Sequence, residues 1–161
     1  MKKIIKATKP EMGSYESYIQ EIKSIWETGS MTNNGPKVQQ FREKLKVYTN
    51  CQNIDLFVNG HTALFLALKS MELSKGGEIL TSPFTFVSTT NAIIQNGFIP
   101  VFCDIDSTYN IDIDSIKRNI TEKTCAIVVP HIFGIPCHVE EIEEIEEIEG
   151  MFGVVDPDMQ F

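Results

Sequence analysis

Short apolar runs alternate with segments of helical spacing along most of the sequence, from Asp55 to Val155. Runs rich in β-branched and aromatic residues predict strands, and apolar residues spaced three and four apart predict helices. The predicted strands cover residues 55–58, 78–82, 99–103, 125–130 and 153–155, and the helices between them cover 62–71, 88–96, 114–119 and 139–149. This alternation predicts an α/β fold, with a mainly parallel sheet and helices on both faces.

The remaining helical segments are two helices ahead of the first strand and an acidic repeat near the other end. Apolar residues recur at helical spacing in residues 14–26 and 38–48, on either side of the polar stretch TGSMTNNGP. In the repeat VEEIEEIEEIEG every third residue is isoleucine, so the apolar stripe drifts around the helix. The repeat is shorter than a coiled coil requires, and it predicts a solvated helix packed on one side of the sheet.

Composition is typical of a soluble, cytoplasmic globular domain. The 161 residues are 42% hydrophobic and 22% charged, which is enough for one domain to bury a core. A net charge of −8 argues against nucleic-acid and anionic-membrane partners, because a phosphate-binding surface needs clustered Lys and Arg. The basic start MKKIIKATKP lacks the apolar run of a secretory signal, and we expect no membrane span. The 4 cysteines show no CxxC spacing, which predicts reduced, mostly buried thiols and no metal site.

The turn Asn59-Gly60-His61-Thr62 joins the first predicted strand to the next helix. Such a turn offers backbone N–H groups and the positive end of the helix dipole at the edge of the sheet where ligands bind. Glycine lets the backbone approach a phosphate closely, and the Thr62 hydroxyl adds a donor. The turn therefore predicts an anion site. The same residues are also typical of an ordinary N-cap. In that case Gly60 only eases the turn. His61 could be a surface residue whose only relevant group is its backbone amide.

Several motifs in a fixed order resemble a known family. They are MTNNGP, FVNGHTAL, SPFTFVSTTNAI, NGFIPVFCDID, ITEKTCAIVVPHIFG and the closing VVD. Together they resemble the DegT/DnrJ/EryC1/StrS family of fold-type I, pyridoxal-phosphate-dependent sugar aminotransferases. The residues of these motifs are most similar to those of family members that aminate nucleotide-linked 3-keto-6-deoxy sugars. The resemblance implies pyridoxal 5′-phosphate as cofactor, a nucleotide-linked keto sugar and an amino-acid donor such as glutamate as substrates, and a homo-oligomer with its site between subunits.

The resemblance also implies which residues hold the cofactor. Gly60 and His61 match the positions whose backbone amides bind the phosphate, and Thr62 adds its hydroxyl. Phe86 matches the aromatic residue that stacks on the ring, and Asp156 matches the carboxylate at the pyridine nitrogen. Without the resemblance, Phe86 would be interpreted as a core aromatic and Asp156 as a turn residue that ends a strand.

The sequence departs from the family pattern after Asp156. The family usually continues with two small residues and then His or Gln, which supports the cofactor's phenolic oxygen, whereas this chain has Pro157-Asp158-Met159-Gln160-Phe161. The lysine that bonds to the cofactor lies further along in the family. The resemblance therefore implies that residues 1–161 are part of the N-terminal, large cofactor-binding domain, without a catalytic residue. We expect the isolated chain to be inactive and to bind the cofactor weakly, without a covalent bond.

Two other functions remain open from the sequence. The chain is interpreted either as a non-catalytic remnant or binding module, or as a fragment of the related pyridoxal-phosphate-dependent sugar dehydratases, in which histidine replaces the lysine. A nicotinamide-binding Rossmann domain is disfavoured, because no GxGxxG follows the first predicted strand.

Overall fold

The chain divides into two compact units, the first ending at Leu56 and the second beginning at Phe57. A computed structural model describes residues 12–156. Each unit contains the elements that its own sequence pattern predicts, with one exception near the boundary.

Residues 12–56, the described part of the first unit, contain two helices. α1 (Tyr15–Thr28) begins after Ser14, whose hydroxyl accepts a hydrogen bond from the Ser17 amide at 3.2 Å, and it ends at Gly29 in the left-handed region. α2 (Pro36–Thr49) begins with a proline, whose missing N–H would have no helical partner in the first turn. Both predicted helices are confirmed, with ends that differ from the prediction by one or two residues.

The second unit is built on a sheet of four parallel strands. The strands are β1 (Glu78–Thr81), β2 (Ile99–Phe102), β3 (Thr124–Pro130) and β4 (Phe152–Asp156). Their order across the sheet is β2-β1-β3-β4, so β1 and β3 are central. The predicted parallel sheet is confirmed, and because all strands run the same way their carboxyl ends lie along one edge.

Helices connect the strands and cover both faces of the sheet. They are α3 (Gly60–Ser70), α4 (Val87–Gln95), α5 (Ile113–Asn119) and α6 (Val139–Glu149), with a single-turn 3₁₀ helix at Ile132–Gly134. Alternation along β1 separates two cores, because successive side chains of a strand point to opposite faces. Ile79 packs in the core with Leu68 of α3 and Ile93 of α4, and Leu80 packs in the core formed by α5 and α6.

The acidic helix α6 packs as its repeat predicts. Ile142 and Ile145 are 3% and 7% exposed and belong to the core shared with α5, while Glu143 and Glu144 are exposed. The side chain of Ile148 lies outside the described ones. The repeat therefore places Ile142 and Ile145 on the sheet side of the helix.

The strand predicted at residues 55–58 is wrong. This segment has no ladder partner among the described strands, and Val58 is 89% exposed. An extended segment becomes a strand only when a neighbour accepts its backbone hydrogen bonds, and in residues 12–156 neither β2 nor β4 pairs with it. The apolar residues of this segment predicted a buried strand, but in the described part of the chain no neighbouring strand pairs with it.

The four cysteine thiols are all free. Cys103 and Cys137 are buried, Cys125 is half-buried and Cys51 is exposed. Burial raises the pKa of the Cys103 thiol to about 11 and also raises the pKa of Cys125 and Cys137. These three thiols therefore stay protonated near neutral pH and are poor nucleophiles.

No helix within residues 12–156 combines the length and the apolar character that crossing a bilayer would require.

Gly77, just before β1, offers a test of the packing at the amino edge of the sheet. A Cβ at this position would lie 2.7 Å from Cys125 Sγ and 2.9 Å from the Ser74 carbonyl oxygen, which is backbone and cannot move away easily. We expect Gly77→Ala to lower the free energy of unfolding by roughly 1–3 kcal/mol, measured by urea denaturation. Gly13→Ala, where a Cβ meets no atom within 4 Å, is the control. Equal stability of the two variants would contradict this packing.

Candidate functional site

The carboxyl ends of the four strands form the edge where an open parallel sheet binds ligands. They are Thr81, Phe102, Pro130 and Asp156. Asp156 ends β4, as predicted, and lies in register with Pro130 of β3. The structure therefore places Asp156 at this edge, and its side chain is not among those described.

The start of α3 is built around Asn59. This residue is the extended N-cap of the helix, and its side-chain oxygen accepts a hydrogen bond from the Thr62 amide at 2.8 Å. The Asn59 carbonyl accepts the Ala63 amide at 3.2 Å. The helix consequently begins at Gly60, two residues earlier than predicted. The Gly60 and His61 amides precede the first intrahelical bond, where helix geometry leaves N–H groups for other acceptors and the dipole favours an anion.

The turn is thus an N-cap, and this does not conflict with an anion site. The cap engages the amide of Thr62, the third residue of the helix, and not those of Gly60 and His61. Thr62 is half-buried in the first turn of α3. The role of Asn59 as the N-cap residue was not predicted from the sequence, although an Asn directly before an apolar helix is a recognised start signal.

The His61 side chain connects α3 to α4. Its Nδ1 lies 3.2 Å from the Ser88 carbonyl oxygen, and its Nε2 lies 3.2 Å from Gln95 Oε1. Because a backbone carbonyl only accepts hydrogen bonds, Nδ1 carries the hydrogen in the first contact. The His61 side chain is therefore not a free surface group, since its ring ties two helices together beside the turn; that only its amide serves an anion stays a prediction.

Phe86 lies in the loop that leads from β1 into α4, directly before the first residue of that helix. Its side chain is 52% exposed and belongs to neither core. The alternative that Phe86 is a core aromatic is therefore wrong. The ring stands at the same edge of the sheet as Asp156, in a loop where it can contact a ligand.

The described part of the chain shows no grouping of three His, Cys, Asp or Glu side chains that could hold a metal ion. The candidate residues at this edge offer backbone amides, a hydroxyl, an aromatic ring and the position of one aspartate. That donor set suits an anionic ligand with a flat ring.

Comparisons with known proteins give one consistent result. The model of the DegT/DnrJ/EryC1/StrS aminotransferase family matches residues 14–156. The dTDP-4-amino-4,6-dideoxy-D-glucose transaminase of Escherichia coli is 39% identical over 155 residues, which is 96% of this chain and 41% of that protein. The dTDP-4-dehydro-2,6-dideoxy-D-glucose 3-dehydratase of Saccharopolyspora spinosa is 34% identical over 131 residues, which is 76% of this chain and 28% of that protein.

Solved structures agree with the sequence relatives. A crystal structure of NtdA from Bacillus subtilis with bound cofactor PMP superposes with a TM-score of 0.83 at 25% identity, covering 90% of this chain and 34% of that one. The chain spans less than half the length of each relative named here.

Proposed function

The chain belongs to the DegT/DnrJ/EryC1/StrS aminotransferase family, and from this premise we propose that its carboxyl edge binds pyridoxal 5′-phosphate. The family resemblance is confirmed, and so is the α/β fold of fold-type I pyridoxal-phosphate-dependent aminotransferases, of which the chain covers only part. The proposed parent reaction transfers an amino group from an amino acid such as glutamate to a nucleotide-linked keto sugar. The sugar in the name of the Escherichia coli transaminase carries its amino group at carbon 4, whereas the motifs resemble members that act on 3-keto sugars. We therefore propose a nucleotide-linked keto sugar without specifying which carbon is aminated.

The start of α3 is the observation that carries this proposal. A phosphate needs donors that are already oriented, and the first-turn amides of Gly60 and His61 point out of the helix end without an intrahelical acceptor. The Asn59 cap fixes that end, and the His61 ring fixes it to α4. We assign the phosphate to these two amides, with the Thr62 hydroxyl as a third donor.

Phe86 and Asp156 are proposed to hold the ring of the cofactor. Phe86 would stack on one face, and Asp156 would accept a hydrogen bond from the pyridine nitrogen and keep it protonated. When bound, the protonated ring supplies a sink for the electrons that a substrate releases as it loses a proton. No residue assigned to this site is a lysine, so we propose that these contacts bind the cofactor without a covalent bond and that residues 1–161 alone transfer no amino group.

The dehydratase relative supports a second candidate, a fragment of a pyridoxal-phosphate-dependent sugar dehydratase. The same cofactor contacts would serve both reactions, so this edge does not distinguish them. Amination is preferred because the transaminase is similar over 96% of the chain and the dehydratase over 76%. A non-catalytic binding module would use the same contacts without transferring a group.

Substitutions in the turn test whether the phosphate site is made of backbone. We expect Gly60→Val to weaken pyridoxal 5′-phosphate binding by about tenfold or more, because a branched side chain blocks the approach of the phosphate to the amides. We expect His61→Ala to keep the affinity within about threefold, since its amide remains. Titration of the cofactor, followed by its absorbance, measures both.

Two controls accompany this titration. Gly13→Val introduces the same side chain in the first unit and should leave binding unchanged. His61→Ala should lower the free energy of unfolding by about 1 kcal/mol, because the bond to the Ser88 carbonyl is lost. A large loss of affinity in His61→Ala, at unchanged fold, would contradict the backbone site. So would a stoichiometric pyridoxyl adduct on one lysine after borohydride reduction.

We also propose that the chain associates with a second copy of itself. Neither α1 nor α2 contains a buried residue, and both expose large apolar side chains. Tyr15 is 71% exposed, Trp26 74%, Val47 85% and Tyr48 87%. Apolar surface of this kind on a helix marks an interface. Light scattering of the purified chain should give the mass of a dimer or larger assembly, and a monodisperse monomer at high concentration would contradict the proposal.

A further inference from the structure

Three aromatic side chains meet at the carboxyl edge of the sheet, outside the residues assigned to the cofactor. We refer to Phe84, Tyr109 and Phe133 as the aromatic trio. They follow β1, β2 and β3 respectively, so loops from three adjacent strands bring them together. Their side chains are 40%, 51% and 58% exposed. Large aromatic rings gathered at an exposed ligand-binding edge, instead of in a core, indicate a binding surface.

The rings of the trio form a corner. Phe84 and Tyr109 are stacked, with centroids 5.6 Å apart and planes 29° apart. Phe133 stands nearly perpendicular to both, at 76° to Phe84 and 78° to Tyr109, with centroid distances of 6.2 and 6.1 Å. These are favourable aromatic geometries, so the trio holds its own arrangement. A flat heterocycle can lie on one ring of such a corner and meet another at its edge.

Two members of the trio sit on unfavourable backbone. Tyr109 has φ 67° and Phe133 has φ 55°, both in the left-handed region that bulky residues rarely adopt. Conformations of this kind persist where the surrounding structure imposes them, and they concentrate at ligand-binding sites. Glycine or asparagine would relieve the backbone at either position but would remove the ring.

The surrounding structure that imposes these conformations is centred on Asn110, which is fully buried. Its side-chain nitrogen donates to the Ile135 carbonyl at 3.1 Å, and its side-chain oxygen accepts the Ile132 amide at 3.0 Å. The same nitrogen donates to Thr108 Oγ1 at 3.2 Å. Asn110 therefore fastens the loop that carries Tyr109 to the 3₁₀ turn that carries Phe133, and the rings are preorganised.

We propose that the aromatic trio stacks against the nucleobase of the nucleotide-linked substrate. This inference rests on the proposed function, which requires a nucleotide to be bound at this edge. Parallel strands are about 4.8 Å apart, so the strand before Tyr109, β2, lies about 14 Å across the sheet from β4 and Asp156, and the strand before Phe84, β1, lies about 10 Å from β4. A ribose and two phosphates separate the base of such a substrate from its sugar. The base can therefore lie against Tyr109 and Phe84 while the sugar lies toward Asp156.

Binding of dTDP to the whole chain tests the proposal, with saturation-transfer NMR to detect contact between ring and base protons. We expect Tyr109→Leu and Phe84→Leu each to weaken dTDP binding by about fivefold or more, because leucine keeps apolar volume but cannot stack. Phe84 is outside the left-handed region, so its variant tests the ring without disturbing strained backbone. Phe152→Leu, at a 52% exposed position at the amino end of β4, is the matched control and should change binding by less than about twofold.

Further probes separate this inference from its alternatives. Deoxyribose 5-phosphate, which lacks a base, should bind equally to the wild-type chain and both trio variants, and so should glucose 1-phosphate. Pyridoxal 5′-phosphate should also bind these three proteins equally. The wild-type chain could fail to bind pyridoxal 5′-phosphate and still bind dTDP more tightly than the trio variants do. That result would contradict the proposed function and support the trio as a base site.

Other results overturn the inference. One is an absence of dTDP binding to the wild-type chain, and another is dTDP binding that is indifferent to both trio variants. A third is weaker glucose 1-phosphate binding with dTDP binding unchanged, which would assign the trio to the sugar. A fourth is a fall in oligomer mass in Tyr109→Leu with dTDP binding unchanged, which would assign it to contact between copies.

Discussion

The common direction of the four strands is the constraint on which the rest of the structure depends. Parallel pairing forces each connection to cross back over the sheet, and the helices α4, α5 and α6 supply those crossings. As a result, every loop that follows a strand emerges at the same edge. Residues that are far apart in sequence, such as Phe86 and Asp156, share that edge for this reason alone.

The start of α3 is proposed to add what the strands do not provide, a set of fixed donors for an anion. Asn59 sets the first residue of the helix, and the ring of His61 holds the helix end against α4. Both contacts lie beside the proposed phosphate amides, not on them. The proposed site therefore depends on backbone geometry that neighbouring side chains enforce, which explains how a chain with a net charge of −8 can offer an anion site.

Local patterns in the sequence were enough to predict most elements of the fold. The spacing of Ile142 and Ile145 predicts the buried side of α6, and the apolar run at 125–130 predicts the strand that the structure shows as β3. Prediction failed where the outcome depends on distant partners. The segment at 55–58 has strand composition, but composition does not supply a neighbour, and in residues 12–156 no strand pairs with it.

The candidate site, too, could be predicted from the sequence only in part. The motifs predicted that Gly60, Phe86 and Asp156 serve one site, and the structure places Phe86 after β1 and Asp156 at the end of β4, along one edge of the sheet; that they bind a cofactor stays a prediction. The partners of His61 are 27 and 34 residues away, and those of Asn110 include Ile132, 22 residues away. No local spacing encodes contacts of this length. They follow only once the sheet order is known.

The central claim, that the amides at the start of α3 form the phosphate site, is tested most directly by NMR of the ¹⁵N-labelled chain titrated with pyridoxal 5′-phosphate. We expect the amide resonances of Gly60 and His61 to show the largest shifts. Pyridoxal, which lacks the phosphate, should leave these two resonances nearly unchanged. Shifts centred on other residues, with Gly60 and His61 unaffected by the phosphorylated cofactor, would contradict it.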